Sequence, residues 1–403
     1  MKIGIYLEGS PEMGGGFFQS LKSSLLLLDI EKYKSEIELI ITHSKTKEYL
    51  QKKKIHNKLF RLTKVYNYLS QLFEIDYSRE LLRKIKINHP FYNFIKKQKY
   101  DLIIFLGPSQ MSKFCEEVAF ISNIWDLDHK KNSQFPEHNL NNIYEHKEKL
   151  FKEIVTRAFK ILVPHKSNKN DLINFYKADE NKVIVQNFIP MLPTIYNENK
   201  HNKELYKDLF KKFNLPLDKI IIFYPAQFWA HKNHKYIIDA AEILKKENNK
   251  KYLFIFCGGN KGNFKYIKDL ISKKQLGDFV KIHTFLTDDE VISFYLNSHG
   301  VIMPTYCGPT NLPIYEAFYF KKIIFYTKDL IPDDPINNHL IEIDISSPVN
   351  LCKQLEIYTD TERLNKIVLD NYEYYKLICN ENTFKENYEK ILNEFSYLLH
   401  RWK

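Results

Sequence analysis

The sequence predicts an α/β protein made of two parallel, doubly wound domains. Three observations carry this. The chain has 403 residues, more than one ordinary domain holds. Short apolar runs of strand length alternate with helical segments. After a polar stretch at residues 191–213 the alternation starts again.

In the first series, strands are expected at residues 2–7 (KIGIYL), 37–42 (IELIIT), 101–106 (DLIIFL), 119–125 (AFISNIW), 160–164 and 183–186. A helix is expected at 17–29, after a loop over residues 9–16. Residues 191–213 carry Asn and Lys clusters and nearby prolines, and read as a linker plus an entry helix. In the second series, strands are expected at 219–224 (KIIIFY), 252–257 (YLFIFC), 280–284, 300–303 and 322–326. Helices are expected at 236–246, 264–274, 288–297 and 312–320, with residues 225–234 as a loop. Ile237, Ala240, Ala241 and Leu244 share one face of the helix at 236–246. The tail at 383–402 spaces Phe384, Tyr388, Ile391, Leu392, Phe395, Leu398 and Leu399 by threes and fours, an apolar face that needs a surface to dock on. The expected domains are 1–190 and 191–380, with a C-terminal helix at 381–403.

Hydrophobic residues make up 44% and charged residues 27%, a globular balance rather than a disordered one. The net charge of +11 favours anionic partners: phosphates, nucleotides, acidic lipid or nucleic acid. No nucleic-acid recognition motif accompanies the charge, so nucleic acid is not expected as a partner. Cys115, Cys257, Cys307, Cys352 and Cys379 are widely spaced, which excludes a disulfide framework and a cysteine metal site. The chain opens directly on a strand and no apolar run reaches membrane-spanning length, so a cytoplasmic protein is expected. Residues 45–68 are Lys-rich with Leu50, Ile55, Leu59, Phe60, Leu62 and Val65 interspersed. They fit a helix covering the first domain, or one resting on the anionic inner face of a membrane.

Four segments can carry chemistry. Gly14, Gly15 and Gly16 follow the first strand, where glycine lets a backbone approach a phosphate or sugar; a merely flexible loop is the other reading. The spacing is not that of a dinucleotide fingerprint. Trp125-Asp126-Leu127-Asp128-His129, followed by Phe135-Pro136-Glu137, lies past a strand end, where parallel sheets bind ligands. His129 there can serve as an acid, base or hydroxyl partner, with Asp126 beside it; alternatively Asp126 caps a helix and His129 lies on the surface. Gln227, His231 and Lys232 follow the first strand of the second series, and Lys232 is placed to neutralise a diphosphate. Gly308-Pro309-Thr310-Asn311-Leu312 opens a helix whose positive end suits phosphate, with Glu316 one turn in, able to accept a ribose diol.

These segments, in this order, resemble the large retaining glycosyltransferase family numbered four, of GT-B fold, most strongly over residues 224–320. The resemblance implies two Rossmann-like domains facing across a cleft, with the C-terminal helix packed back toward the first. It implies transfer of a sugar from a nucleotide-diphosphate-sugar donor to a glycan or lipid-linked acceptor, as in surface polysaccharide or glycoconjugate biosynthesis. No metal and no resident cofactor are implied. Gly15, Gly16, Gln227, His231, Lys232, Pro309, Thr310, Asn311, Leu312 and Glu316 would hold the donor, and His129, Asp126 and Lys232 would be catalytic. Lys232 matches the family's phosphate-binding lysine, and Glu316 the second of its paired glutamates. The first of that pair is Gly308 here. The usual arginine is Gln227, a lost cation that His231 is expected to replace in part. Trp125 stands where a histidine often precedes Asp-Leu. Two alternatives share the fold: a nucleotide-sugar epimerase and a non-catalytic sugar-nucleotide-binding subunit.

Overall fold

The apolar runs of the first series pair into one sheet. Its strands are β1 (Ile3–Leu7), β2 (Ile37–Ile41), β3 (Lys58–Leu59), β4 (Leu102–Phe105), β5 (Ala119–Asn123), β6 (Lys160–Val163) and β7 (Val183–Val185), in the order β3-β2-β1-β4-β5-β6-β7. Every pairing is parallel, for instance Ile3 opposite both Ile37 and Leu102. All five residues of β1 and all four of β4 are buried. Helices cover both faces, so the strands are continuous apolar runs without alternation.

The second series forms β8 (Ile220–Pro225), β9 (Tyr252–Cys257), β10 (Val280–His283), β11 (Gly300–Met303), β12 (Ile323–Thr327) and β13 (Ile341–Ile343), ordered β10-β9-β8-β11-β12-β13, again all parallel. Both orders are those of a doubly wound fold, which reverses beside its first strand. This computed structural model describes residues 1–62, 73, 80–82, 84–85, 87–199, 203–216, 218–308, 311–328, 330 and 335–402.

The chain divides into two compact units. Met1–Leu127, Glu145–Ile189 and Asn380–Lys403 make the first; Asp128–Tyr144 and Pro190–Cys379 make the second. The segment Asp128–Tyr144 thus packs with the second unit while both its chain neighbours belong to the first. Within the first unit the C-terminal helix Glu381–Trp402 docks its apolar face, burying Phe384, Tyr388, Ile391, Leu392, Phe395 and Leu399. Phe395 meets Phe159 edge-on at 5.2 Å, and Lys22 reaches Glu381 at 2.6 Å. Each fully buried side chain of that row contributes about 1.5–3 kcal/mol, which explains why the tail folds back.

Several expectations shift. Residues 191–213 are not a linker with one helix. They form two helices, Leu192–Asn199 and Lys203–Lys211, and the second packs on Asp288–Asn297, where Ser293 Oγ donates to the Tyr206 carbonyl at 2.7 Å. The helix Asp288–Asn297 begins where expected because Thr287 and Glu290 form a reciprocal cap. The 225–234 loop is shorter than expected, since a helix starts at His234, whose ring is fully buried and stacks on Phe228. In residues 45–68, Ser44–Lys52 is helical and Leu50 is fully buried, which gives this part of the apolar stripe a packing role; 63–68 lie outside the described residues. No helix among the described residues is long and apolar enough to cross a membrane.

Candidate functional site

The second sheet reverses between β8 and β11, so the loops leaving their carboxyl ends part there and open a crevice. The loop after β8 runs close over the end of β9. A Cβ added to Gly258 would collide with the Ala226 carbonyl and lie 2.7 Å from the Gln227 Cα. Gly258→Ala is therefore expected to displace the loop carrying Gln227 and lower stability by about 1–3 kcal/mol. A drop in thermal midpoint, with weaker nucleotide binding, is the readout; an unchanged midpoint refutes it.

That loop ends in a short 3-10 turn, Ala230–Lys232, held from below by the Tyr224 hydroxyl, which donates to the Lys232 carbonyl at 2.5 Å. The Lys232 ammonium donates to Asn311 Oδ1 at 2.9 Å. Asn311 is the N-cap of the helix Leu312–Tyr319, with Pro313 in its first turn and Leu312 its first residue. Its side-chain amide donates to the Cys307 carbonyl at 3.2 Å and to Tyr326 at 2.8 Å. A cation thus stands at the positive end of a helix, the arrangement that binds oxyanions. Pro309 and Thr310 lie outside the described residues. Gly308 has a packing reason: an added Cβ would lie 2.6 Å from the Tyr326 hydroxyl.

Glu316 lies one turn into the same helix, 9% exposed, and accepts from the Tyr295 hydroxyl at 2.6 Å. Burial pushes its carboxyl up to about 7, against the lowering effect of Tyr295. Gln227 faces its own loop, its carbonyl taking the Trp229 indole N–H at 3.1 Å.

His231 is pinned on three sides. Its backbone carbonyl accepts from the Tyr306 amide at 2.9 Å and the Thr305 hydroxyl at 3.3 Å, which ties the two crevice loops together. Its own amide donates to Glu137 Oε1 at 3.0 Å, and its ring Nδ1 bonds the same oxygen. Burial, then the neighbouring Lys232 charge, push the imidazole down, against the raising effect of Glu137. A lowered imidazole carries less of the missing arginine charge than a free one. Glu137 stays below the ordinary carboxylate range because the His231 N–H groups offset its burial.

His129 lies on the short helix Asp128–Lys131, fully buried and edge-on to Tyr144 at 5.6 Å. The structure therefore places it in the interior rather than on the surface. Asp126 is partly exposed and falls in the first unit, just before the chain leaves it. In that unit Gly14, at φ 82°, caps the helix Gly15–Leu28, a conformation suited to glycine. Gly16 and Gly107 are small because the Trp125 indole lies over both; added Cβ atoms would come within 3.1 and 3.0 Å of the ring. The indole N–H donates to the Leu106 carbonyl at 3.0 Å. Beside it, Gln19, Asn123, Gln186 and Tyr388 line a cavity at the carboxyl ends of β4–β7.

Lys232 thus meets Asn311, which is followed on one helix by Leu312 and Glu316, while Gln227 and His231 share the loop that carries Lys232. Gly15, Gly16 and Asp126 belong to the first unit, and His129 is closed off. Glu137, Tyr295, Tyr306 and Thr305 were not singled out from the sequence, although Glu137 stood in the Phe-Pro-Glu run.

Residues 206–347, which contain all of this crevice except Glu137, match the family model described as Glycosyl transferases group 1. This stretch is a glycosyltransferase group 1 domain. No curated protein sequence matches the chain. Solved structures similar to the whole chain include a glycosyltransferase from Rickettsia africae (16% identity, TM-score 0.72, 98% of each chain covered). Another is Anabaena Alr3699/HepE in complex with UDP-glucose (14%, TM-score 0.69, covering 98% of this chain and 100% of that one). A third is UDP-GlcNAc 2-epimerase from Neisseria meningitidis bound to UDP-GlcNAc (14%, TM-score 0.61, 98% and 100%). These likenesses establish a GT-B fold. Within the group 1 domain the crevice joins the loop carrying Lys232 to the start of the helix carrying Glu316. Among the described residues no group of three or more His, Cys, Asp or Glu is arranged to hold a metal ion.

Proposed function

We propose that the protein is a retaining glycosyltransferase that moves a sugar from a nucleotide-diphosphate-sugar donor to a glycan or lipid-linked acceptor, in the assembly of a surface polysaccharide or glycoconjugate. The observation that carries the reading is the Lys232–Asn311 contact, which sets an ammonium at the positive end of the helix Leu312–Tyr319. As the glycosidic bond breaks, negative charge grows on the departing diphosphate, and a fixed cation with oriented amides stabilises that charge. The departing phosphate can take the acceptor's proton on the same face, so no protein nucleophile is needed and retention follows. Glu316, one turn along, is positioned to accept ribose hydroxyls. In this reading Lys232 and the helix end supply the positive charge and no metal or resident cofactor takes part.

A panel of nucleoside diphosphates and their sugars in a thermal-shift assay tests the reading. A specific ligand at a hundred times its Kd stabilises by about 2.7 kcal/mol, and the shift should persist with a chelator present. The bound sugar nucleotide should then lose its sugar slowly to water and faster to an acceptor glycan, freeing the nucleoside diphosphate each time. No shift from any member overturns the donor site. The epimerase reading has one observation in its favour, the likeness to the Neisseria enzyme. Release of an epimerised sugar without any acceptor would establish it instead.

A further inference from the structure

We propose that Glu137 is a positioning residue of the anion-binding turn, fixing the Ala230–Lys232 backbone and keeping a proton on Nδ1 of the His231 ring. What the turn binds rests on the transferase reading above; the geometry does not.

Glu137 reaches its partner across 94 positions of sequence, from the segment Asp128–Tyr144 that leaves the first unit to pack on the second. One of its oxygens takes both N–H groups of a single residue, the His231 amide and ring. The two side chains are only 13% and 7% exposed. A buried carboxylate is costly unless hydrogen-bonded, and these donors are what makes it tolerable. Phe135, two positions earlier, packs on the His231 and Tyr306 rings at 6.2 and 5.2 Å. Trp229 and His138 lie nearly parallel to the imidazole on 6.4 and 6.2 Å centroid spacings. With Tyr306 and Thr305 on its carbonyl, His231 has no free backbone group, and Lys232 is the next residue.

Two consequences follow. An ionised carboxylate only accepts hydrogen bonds, so Nδ1 carries a proton, and on the neutral ring Nε2 keeps its lone pair for a sugar or ribose hydroxyl. And Glu137 is an anion bonded to His231, the residue next to the cation meant to hold a diphosphate. Coulomb repulsion alone would make its removal tighten anion binding. If it positions the turn, removal weakens binding instead. The two accounts differ in sign.

Glu137→Gln is isosteric and uncharged, but its amide donors compete with Nδ1–H. Titration calorimetry on the full chain should show its affinity for the nucleoside diphosphate chosen from the panel falling about tenfold, with affinity for the parent nucleoside unchanged. Unchanged or tighter diphosphate binding in a folded variant overturns the proposal, as does an equal loss for the nucleoside. The imidazole itself supplies a second measurement on the wild-type protein, independent of ligand and of the variant's folding. Nitrogen-15 spectra at pH 7 should assign a proton to Nδ1 of His231. A bare Nδ1 sinks the proposal even if the diphosphate binds. If no nucleotide binds the wild type, the transferase reading falls, and the tautomer alone decides the role of Glu137.

Discussion

Lys232→Ala is expected to lower kcat/KM by about two to three orders of magnitude, the loss that follows removal of one donor aimed at developing charge. The ammonium is fixed at the helix start through Asn311 Oδ1, not free in solvent. Asn311 keeps its bonds to the Cys307 carbonyl and Tyr326 when Lys232 is gone, so the helix start survives and the change reports chemistry rather than folding. Charge on the leaving diphosphate is larger in the transition state than in the bound donor, so kcat should fall more than KM rises. Lys232→Arg, which keeps the charge but not the compact ammonium, should recover part of the rate. Single-turnover release of diphosphate from the sugar nucleotide measures this. A rate within a factor of three of wild type would remove Lys232 from the site.

The second large effect is a pH dependence carried by Glu316. Burial raises its carboxyl to about 7 in the folded protein. A raised acid binds its proton more tightly folded than unfolded. The stability it contributes is therefore present below the ordinary carboxylate value and is lost as pH rises toward 7. The full amplitude is on the order of 3 kcal/mol. Glu316→Gln keeps an acceptor for the Tyr295 hydroxyl and does not titrate. The wild-type midpoint should fall relative to the variant between about pH 5 and pH 7 and then run parallel. Ribose hydroxyls bonding the carboxylate favour its ionised form, so affinity for the nucleotide sugar should rise over the same range. A nucleotide sugar has no terminal phosphate to titrate, so the rise would belong to the protein. Parallel stability curves from pH 5 upward, or flat affinity, would contradict the assignment.

These effects were legible from sequence to unequal degrees. Lys232 and the helix start at Asn311 were found because both follow a strand and precede a helix, and helix ends are local features. Glu316 was found as a residue, but its shifted titration was not, because the Tyr295 contact and the surrounding burial come from a neighbouring helix. His231 was read as a partial replacement for a missing cation. Burial and the adjoining lysine work against its charge, and burial is not visible in a one-dimensional pattern. Gly16 and Gly308 were read as a backbone approaching a ligand and as a missing carboxylate. The indole of Trp125 and the hydroxyl of Tyr326 give both a steric reason to be glycine.

The two parallel sheets, their strand positions in the main, and the loops carrying Lys232 and Asn311 follow from local patterns in the chain. Apolar periodicity and strand-to-helix junctions are written residue by residue along the chain. No local pattern foretells that Asp128–Tyr144 packs with the second unit; the folded chain does this, and brings Glu137 against His231. It also closed His129 away in the interior. Contacts across 94 positions depend on which surfaces the folded chain brings together, and burial depends on every neighbour at once.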